Sequence, residues 1–185
     1  MPSWDELKHS CESCRACPLH ATRTNCVFGV GNPRAKLMFV GEAPGEQEDL
    51  TGVPFVGKAG QLLDKFLFAV DLTREDVYIA NILKCRPPNN RDPLPAEEDA
   101  CIGFLRDQVR LVSPRIIVCL GRISASRLIK PDFRITREHG VWFEKGPFSM
   151  TAVYHPAALL RNPSQKDAML TDMKAIRARL DALNS

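Results

Sequence analysis

A chain of 185 residues, 44% hydrophobic and 25% charged, carries enough apolar material for one domain with a sizeable core, spanning residues 1–185. Its apolar runs are far too short to cross a bilayer, and the opening MPSWDELKHS has acidic residues and no apolar h-region, so no membrane partner and a cytoplasmic location are expected. The net charge of +3 does not announce a nucleic-acid partner, while seven cysteines, an odd count without a secretion signal, argue against a disulfide framework and for metal or cluster ligation.

Along the chain, Ser3 and Glu6 form an S-x-x-E capping box that opens a short helix leading to CESCRACP. The run KLMFV (36–40) predicts a first buried strand. After Gly60, Leu62, Leu63, Phe66, Leu67 and Val70 recur at helix spacing, and VYIA (77–80) predicts a second strand. A polar loop with four prolines follows, then a helix on Ile102, Leu105, Val109 and Val112. RIIVCL (115–120) predicts a third strand, with a shorter helix after Gly121. ITREHGVWFEKGPFSM reads as a hairpin inserted before the last strand, TAVY (151–154), and a C-terminal helix carries Leu170, Met173, Ile176, Leu180 and Leu183 on one face. Strands that are apolar without alternation suit a parallel sheet covered on both sides. The expected fold is therefore α/β, a three-layer α/β/α sandwich around a mainly parallel, four-stranded sheet.

Polar or glycine-rich residues stand at the end of each strand: Gly41–Glu42, Asn81, Gly121 and His155. In open parallel sheets the carboxyl ends line the ligand crevice, so Glu42, Asn81 and His155 are expected to converge on one pocket. The competing reading of each alone is a cap or turn residue. From Arg115 to Arg137 six cations face one anion, which suits a solvated helix face or a phosphate-facing surface equally.

C-x-x-C occurs twice by overlap, at Cys11/Cys14 and Cys14/Cys17, and Cys85 and Cys101 flank the proline loop. A short turn plus two distant cysteines can surround one centre, either zinc or an iron–sulfur cluster. A redox C-x-x-C is the competing reading, but this one precedes every strand. Cys26 and Cys119 read as small buried residues.

Three segments, GEAPGEQEDLTGVPFVGKAGQLL, NILKCRPPNNRDPLP and HPAALLRNP, closely resemble the motifs of family 4 uracil-DNA glycosylases, in the family order from Cys14 to about Asn162. The resemblance implies an α/β/α fold, a [4Fe-4S] cluster and removal of uracil from DNA by a monomer. It implies Cys14, Cys17, Cys85 and Cys101 as cluster ligands, leaving Cys11 spare. The cluster is expected to tie the N-terminal segment to the proline loop.

By the same resemblance Phe55 faces the flipped uracil ring, Asn81 reads its edge, and His155 donates to O2 as that oxygen becomes anionic. The better-known family 1 enzymes carry an Asp where Ala43 lines the pocket, so Glu42 is the first candidate for positioning water. Glu48 is the second, or else excludes the thymine methyl or caps a helix. Leu159, Leu160 and Arg161 belong to a loop expected to wedge into DNA, the alternative being that both leucines extend the core. Two rivals are a related uracil-DNA binder that becomes covalently attached through a loop histidine, absent from CRPPNNRDPLPAEEDAC, and an iron–sulfur redox protein.

Overall fold

The computed structural model describes residues 1–185. One sheet holds six strands: β1 (Val30–Gly31), β2 (Leu37–Gly41), β3 (Tyr78–Asn81), β4 (Ile116–Leu120), β5 (Phe143–Lys145) and β6 (Phe148–Val153), in the order β1-β3-β2-β4-β6-β5. The inner four, β3-β2-β4-β6, run parallel and coincide with the four apolar runs. The expected count of four is corrected to six. Both additional strands are antiparallel edges of two and three residues, too short to leave an apolar signature. A hairpin does turn at Gly146–Pro147, but it is not inserted before the last strand: its second arm is that strand, β6, which begins at Phe148, and the start of the expected segment, Ile135–Glu138, is helical.

Eight helices accompany the sheet: α1 (Trp4–Glu12), α2 (Glu46–Thr51), α3 (Lys58–Ala69), α4 (Pro95–Val112), α5 (Arg122–Leu128), α6 (Ile135–Glu138), α7 (Pro156–Arg161) and α8 (Lys166–Asn184). Strand residues alternate between two cores. Leu37 and Phe39 face a cluster completed by Leu63 and Leu67 of α3 and Met173 and Ile176 of α8. Met38 and Val40 face the opposite cluster, completed by Ile102 and Leu105 of α4. Every residue of β2, β3 and β4 is buried, as a sheet covered on both faces requires. Truncating one such side chain, Leu63→Ala for example, costs about 2–5 kcal/mol by cavity formation.

Two local devices set the loops that matter for function. The Ser3/Glu6 capping box is present and starts α1. At the other end of the proline loop, Pro95 opens α4, and Glu97 turns back to accept from Leu94 N–H at 2.8 Å. Its carboxylate is also forked by Arg91, with both contacts at 2.8 Å, so the loop is closed by a partly buried ion pair. In the sheet order, β2 has β3 on one side and β4 on the other. The crevice therefore opens beyond the carboxyl ends of these strands.

Candidate active site and thiol pocket

A cleft of about 720 Å³ lies at that crevice. Glu42 and Ala43 reach it from β2, Asn81 from β3, Gly121 and Arg122 from β4, and Tyr154 and His155 from β6. The strand tips expected to converge do line one cavity. Glu48, Phe55 and Arg161 line it too.

Asn81 is 2% exposed, and its Oδ1 has no hydrogen-bond partner. An orphaned buried acceptor costs about 1–3 kcal/mol, and a ligand donor entering the cleft would satisfy it. Gly41 makes the room: a Cβ there would collide with Asn81 Oδ1 and the Phe55 ring. Phe55 is itself buried, and its ring centre lies 5.7 Å from that of His155. Two aromatic rings thus flank the wall that carries Asn81.

His155 caps α7, and its Nδ1 accepts from Ala157 N–H at 3.0 Å. A nitrogen that accepts carries no proton, so the imidazole proton sits on Nε2. Burial lowers the pKa to about 4, Arg161 reinforces the shift, and Glu48 opposes it. At neutral pH the ring is therefore an uncharged donor.

Burial raises the Glu42 pKa, and Asp92 raises it further, while Arg122 and Arg161 oppose. Asp92 lines the cleft from the proline loop. Glu48 is engaged differently. Its Oε1 accepts from Gly45 N–H at 3.0 Å, and its Oε2 accepts from Val56 and Gly57 N–H at 2.9 and 2.8 Å. The helix-capping alternative is what the geometry contains, and the same carboxylate also holds the loop around Phe55.

Of the residues expected to meet DNA, Leu159 packs in the main core, Leu160 is 45% exposed, and Arg161 borders the cleft. The basic segment 115–137 is divided. Arg127 pairs with Asp99 and Lys130 with Glu138, whereas Arg122 faces the cleft.

Behind the cleft, Cys14, Cys17, Cys85 and Cys101 line a second, small pocket together with Leu19, Leu83 and Phe104. Ala43 stands between the two places, lining the cleft and packing against the buried cluster of Leu19, Leu83, Cys85 and Cys101. No three His, Cys, Asp or Glu side chains are grouped to hold a single ion. Cys85 Sγ accepts from Arg23 Nη1 at 3.2 Å, and burial raises the Cys101 pKa to about 11. Cys11, expected to be spare, is fully buried with its Sγ 3.2 Å from that of Cys26, and it too borders the thiol pocket. Cys119 lies in the core, as expected.

Lys84 was not singled out by sequence. It is 1% exposed and donates to Asn81 O at 2.9 Å, Phe28 O at 3.2 Å and Gln108 Oε1 at 2.6 Å. A lysine inside the apolar stretch NILKC was the available signal, since a buried ammonium needs a full set of acceptors. It braces the backbone of Asn81 beside the thiol pocket.

Comparison with known proteins agrees with this geometry. Residues 28–180 match the model of the uracil DNA glycosylase superfamily. The chain is 47% identical to a type-4 uracil-DNA glycosylase of Archaeoglobus fulgidus over 95% of its length and 92% of that protein. It is 46% identical to a type-4 uracil-DNA glycosylase of Thermotoga maritima, covering 84% and 82% of the two chains. A type-5 uracil-DNA glycosylase of Pyrobaculum aerophilum is 34% identical over 70% of this chain and 64% of that protein. Parallel strands whose tips carry an orphaned amide and a neutral histidine donor, with an aromatic ring beside them on the α2–α3 loop, are thus joined to long similarity, and the chain belongs to the uracil DNA glycosylase superfamily, within its type-4 uracil-DNA glycosylases.

Proposed function

We propose that this protein removes uracil from DNA by hydrolysing the N-glycosidic bond, leaving an abasic site. The observation that carries the proposal is the buried, unpartnered Oδ1 of Asn81, a residue that lines the same cleft as the His155 donor. A base inside a duplex is out of reach, so the nucleotide enters the cleft extruded, at a cost of a few kcal/mol.

Each residue then has a task. The Asn81 amide presents acceptor and donor together, matching the N3–H and O4 edge of uracil; cytosine offers the opposite pattern and leaves buried groups unpaired. Phe55 supplies a flat face for the ring. As the bond breaks, negative charge gathers on the departing base, and Nε2–H of His155 is a preformed donor for it, worth about 3–4 kcal/mol. A neutral imidazole serves here as a fixed dipole and does not protonate the base. Glu42 orients the attacking water, since Ala43 beside it has no group to do so. The carboxylate also offsets the positive charge that builds on the sugar. Glu48 keeps the Phe55 loop in place, and Leu160 and Arg161 meet the DNA from the rim.

The thiol pocket suits a [4Fe-4S] cluster: of the five cysteines that line it, Cys11 is engaged with Cys26, and the other four, with an apolar lining and the neighbouring Arg23 and Lys84, suit an anionic centre with four thiolate ligands. Cys14, Cys17, Cys85 and Cys101 would hold it. Bound there, the cluster supplies a structural joint between the N-terminal segment and the proline loop; hydrolysis of uracil consumes no electron. Seven free thiols suit the reducing cytoplasm, where we take the enzyme to act as a monomer.

The test is an oligonucleotide carrying U opposite G, U opposite A, T opposite G or hypoxanthine, resolved on a denaturing gel. Excision gives free uracil and an alkali-labile strand. A slow-migrating covalent species, or no change in the uracil strands, would contradict the proposal.

A further inference from the structure

Phe55 has φ 54°, an outlier for a bulky L-residue and the kind of conformation that persists only when its surroundings over-determine it. The surroundings here are two opposite charges. On the N–H side, Glu48 Oε2 accepts from Val56 and Gly57 at 2.9 and 2.8 Å. On the C=O side stands Arg74, from the turn between α3 and β3. Its Nη1–H donates to Pro54 O at 2.8 Å and its Nη2–H to Phe55 O. Its Nε–H is held at 2.7 Å by Asp64 of α3, which fixes the plane of the guanidinium. Gly60 completes the seat, because a Cβ there would collide with the Phe55 carbonyl.

Arg74 does not line the cleft. We infer that it is a positioning residue for base recognition: with Glu48 opposite, its guanidinium locks the turn at 54–57 so that the Phe55 ring stays parallel to an extruded base. The inference rests on the uracil-excision reading above. Its chemistry is specific to arginine. Three nitrogens in one plane reach two carbonyls and a carboxylate at once, and an ammonium cannot reproduce that fork. Loosening the turn lets the ring tilt, which weakens binding of the flat base and slows cleavage, while contacts to the phosphate backbone stay as they were.

The experiment compares wild type, Arg74→Gln, Arg74→Lys and Asp64→Asn. It reads single-turnover uracil excision, inhibition by free uracil and affinity for uracil-free duplex, all below the unfolding midpoint of every variant. Arg74→Gln is expected to lose at least about tenfold in rate and to raise the uracil inhibition constant comparably, with duplex affinity unchanged. Arg74→Lys should recover part of the loss, and Asp64→Asn should show a smaller loss of the same kind. In a Phe55→Ala background, adding Arg74→Gln should change the rate less than about twofold, since the platform it holds is gone. Excision and uracil inhibition within twofold of wild type in Arg74→Gln overturn the inference, as does an undiminished loss in the Phe55→Ala background. Should Arg74→Gln not fold, unchanged excision and inhibition in Asp64→Asn overturn it instead. Wild-type protein that excises no uracil sinks the excision reading itself, whereas active wild type with an indifferent Arg74→Gln sinks only this one.

Discussion

One hydrogen bond sets the proton of His155. Because Ala157 N–H donates to Nδ1, the Nε2–H tautomer is imposed by the start of α7 rather than by solvent. Nitrogen-15 NMR should show that tautomer unchanged from pH 8 down to about 5, with titration only near a pKa of about 4. An unfolded chain takes up this proton at the ordinary value of 6.5 and the native chain near 4, so stability is lost as pH falls through that window, and His155→Gln should flatten the loss. Glu42 shifts the other way, upward. If its carboxylate orients water, excision should fall on acidification at a pH above the usual glutamate range, and Glu42→Gln should remove that limb along with most of the rate. Gly41→Ala should cost at least about tenfold in excision, because its methyl group would occupy space used by Asn81 and Phe55. Asn81, His155 and Glu42 were legible in the sequence because a strand tip is a local feature. Arg74 and Lys84 were not, since their acceptors lie up to 20 and 56 positions away and only the fold brings them near.

Among the elements, the four parallel strands were legible from their apolar runs, to within about one residue at most ends. Edge strand β1 was not, because two residues with a free edge carry no continuous apolar signal, and β5 was legible only through the turn residues Gly146–Pro147 of its hairpin. The S-x-x-E box found the start of α1, whereas the start of α4 is set by Glu97 reaching back to Leu94, with no Ser or Thr cap to read. The proline loop has few apolar contacts of its own, and its ends are held by the Arg91–Glu97 fork and by Cys85 and Cys101. If the cluster proposed above joins those two cysteines to the N-terminal segment, purified protein should be brown and bleach with dithionite. Cys85→Ser should abolish the visible absorbance and expose residues 86–94 to limited proteolysis. A colourless wild type purified without oxygen, carrying stoichiometric zinc, would reject the cluster.

For the whole molecule, the modest net charge of +3 is mirrored at the cleft, where Lys58, Arg91, Arg122 and Arg161 stand among Glu42, Glu46, Glu48 and Asp92, so contact with phosphate falls to individual cations and not to a basic surface. Two of the six cations in the basic segment, Arg127 and Lys130, are taken up by internal ion pairs, which sequence alone could not show. DNA binding should weaken with salt, and Arg161→Ala should reduce the slope of log K against log salt by about 1 if it meets a phosphate. Uracil excision as proposed requires the orphaned Asn81 amide and the neutral His155 imidazole to share one cavity with a flipped base. Single-turnover excision from a uracil oligonucleotide by wild type, Asn81→Ala and His155→Ala tests that claim directly. We predict that wild type releases free uracil and that both variants lose about a hundredfold or more with their visible absorbance intact; rates near wild type in both would contradict it.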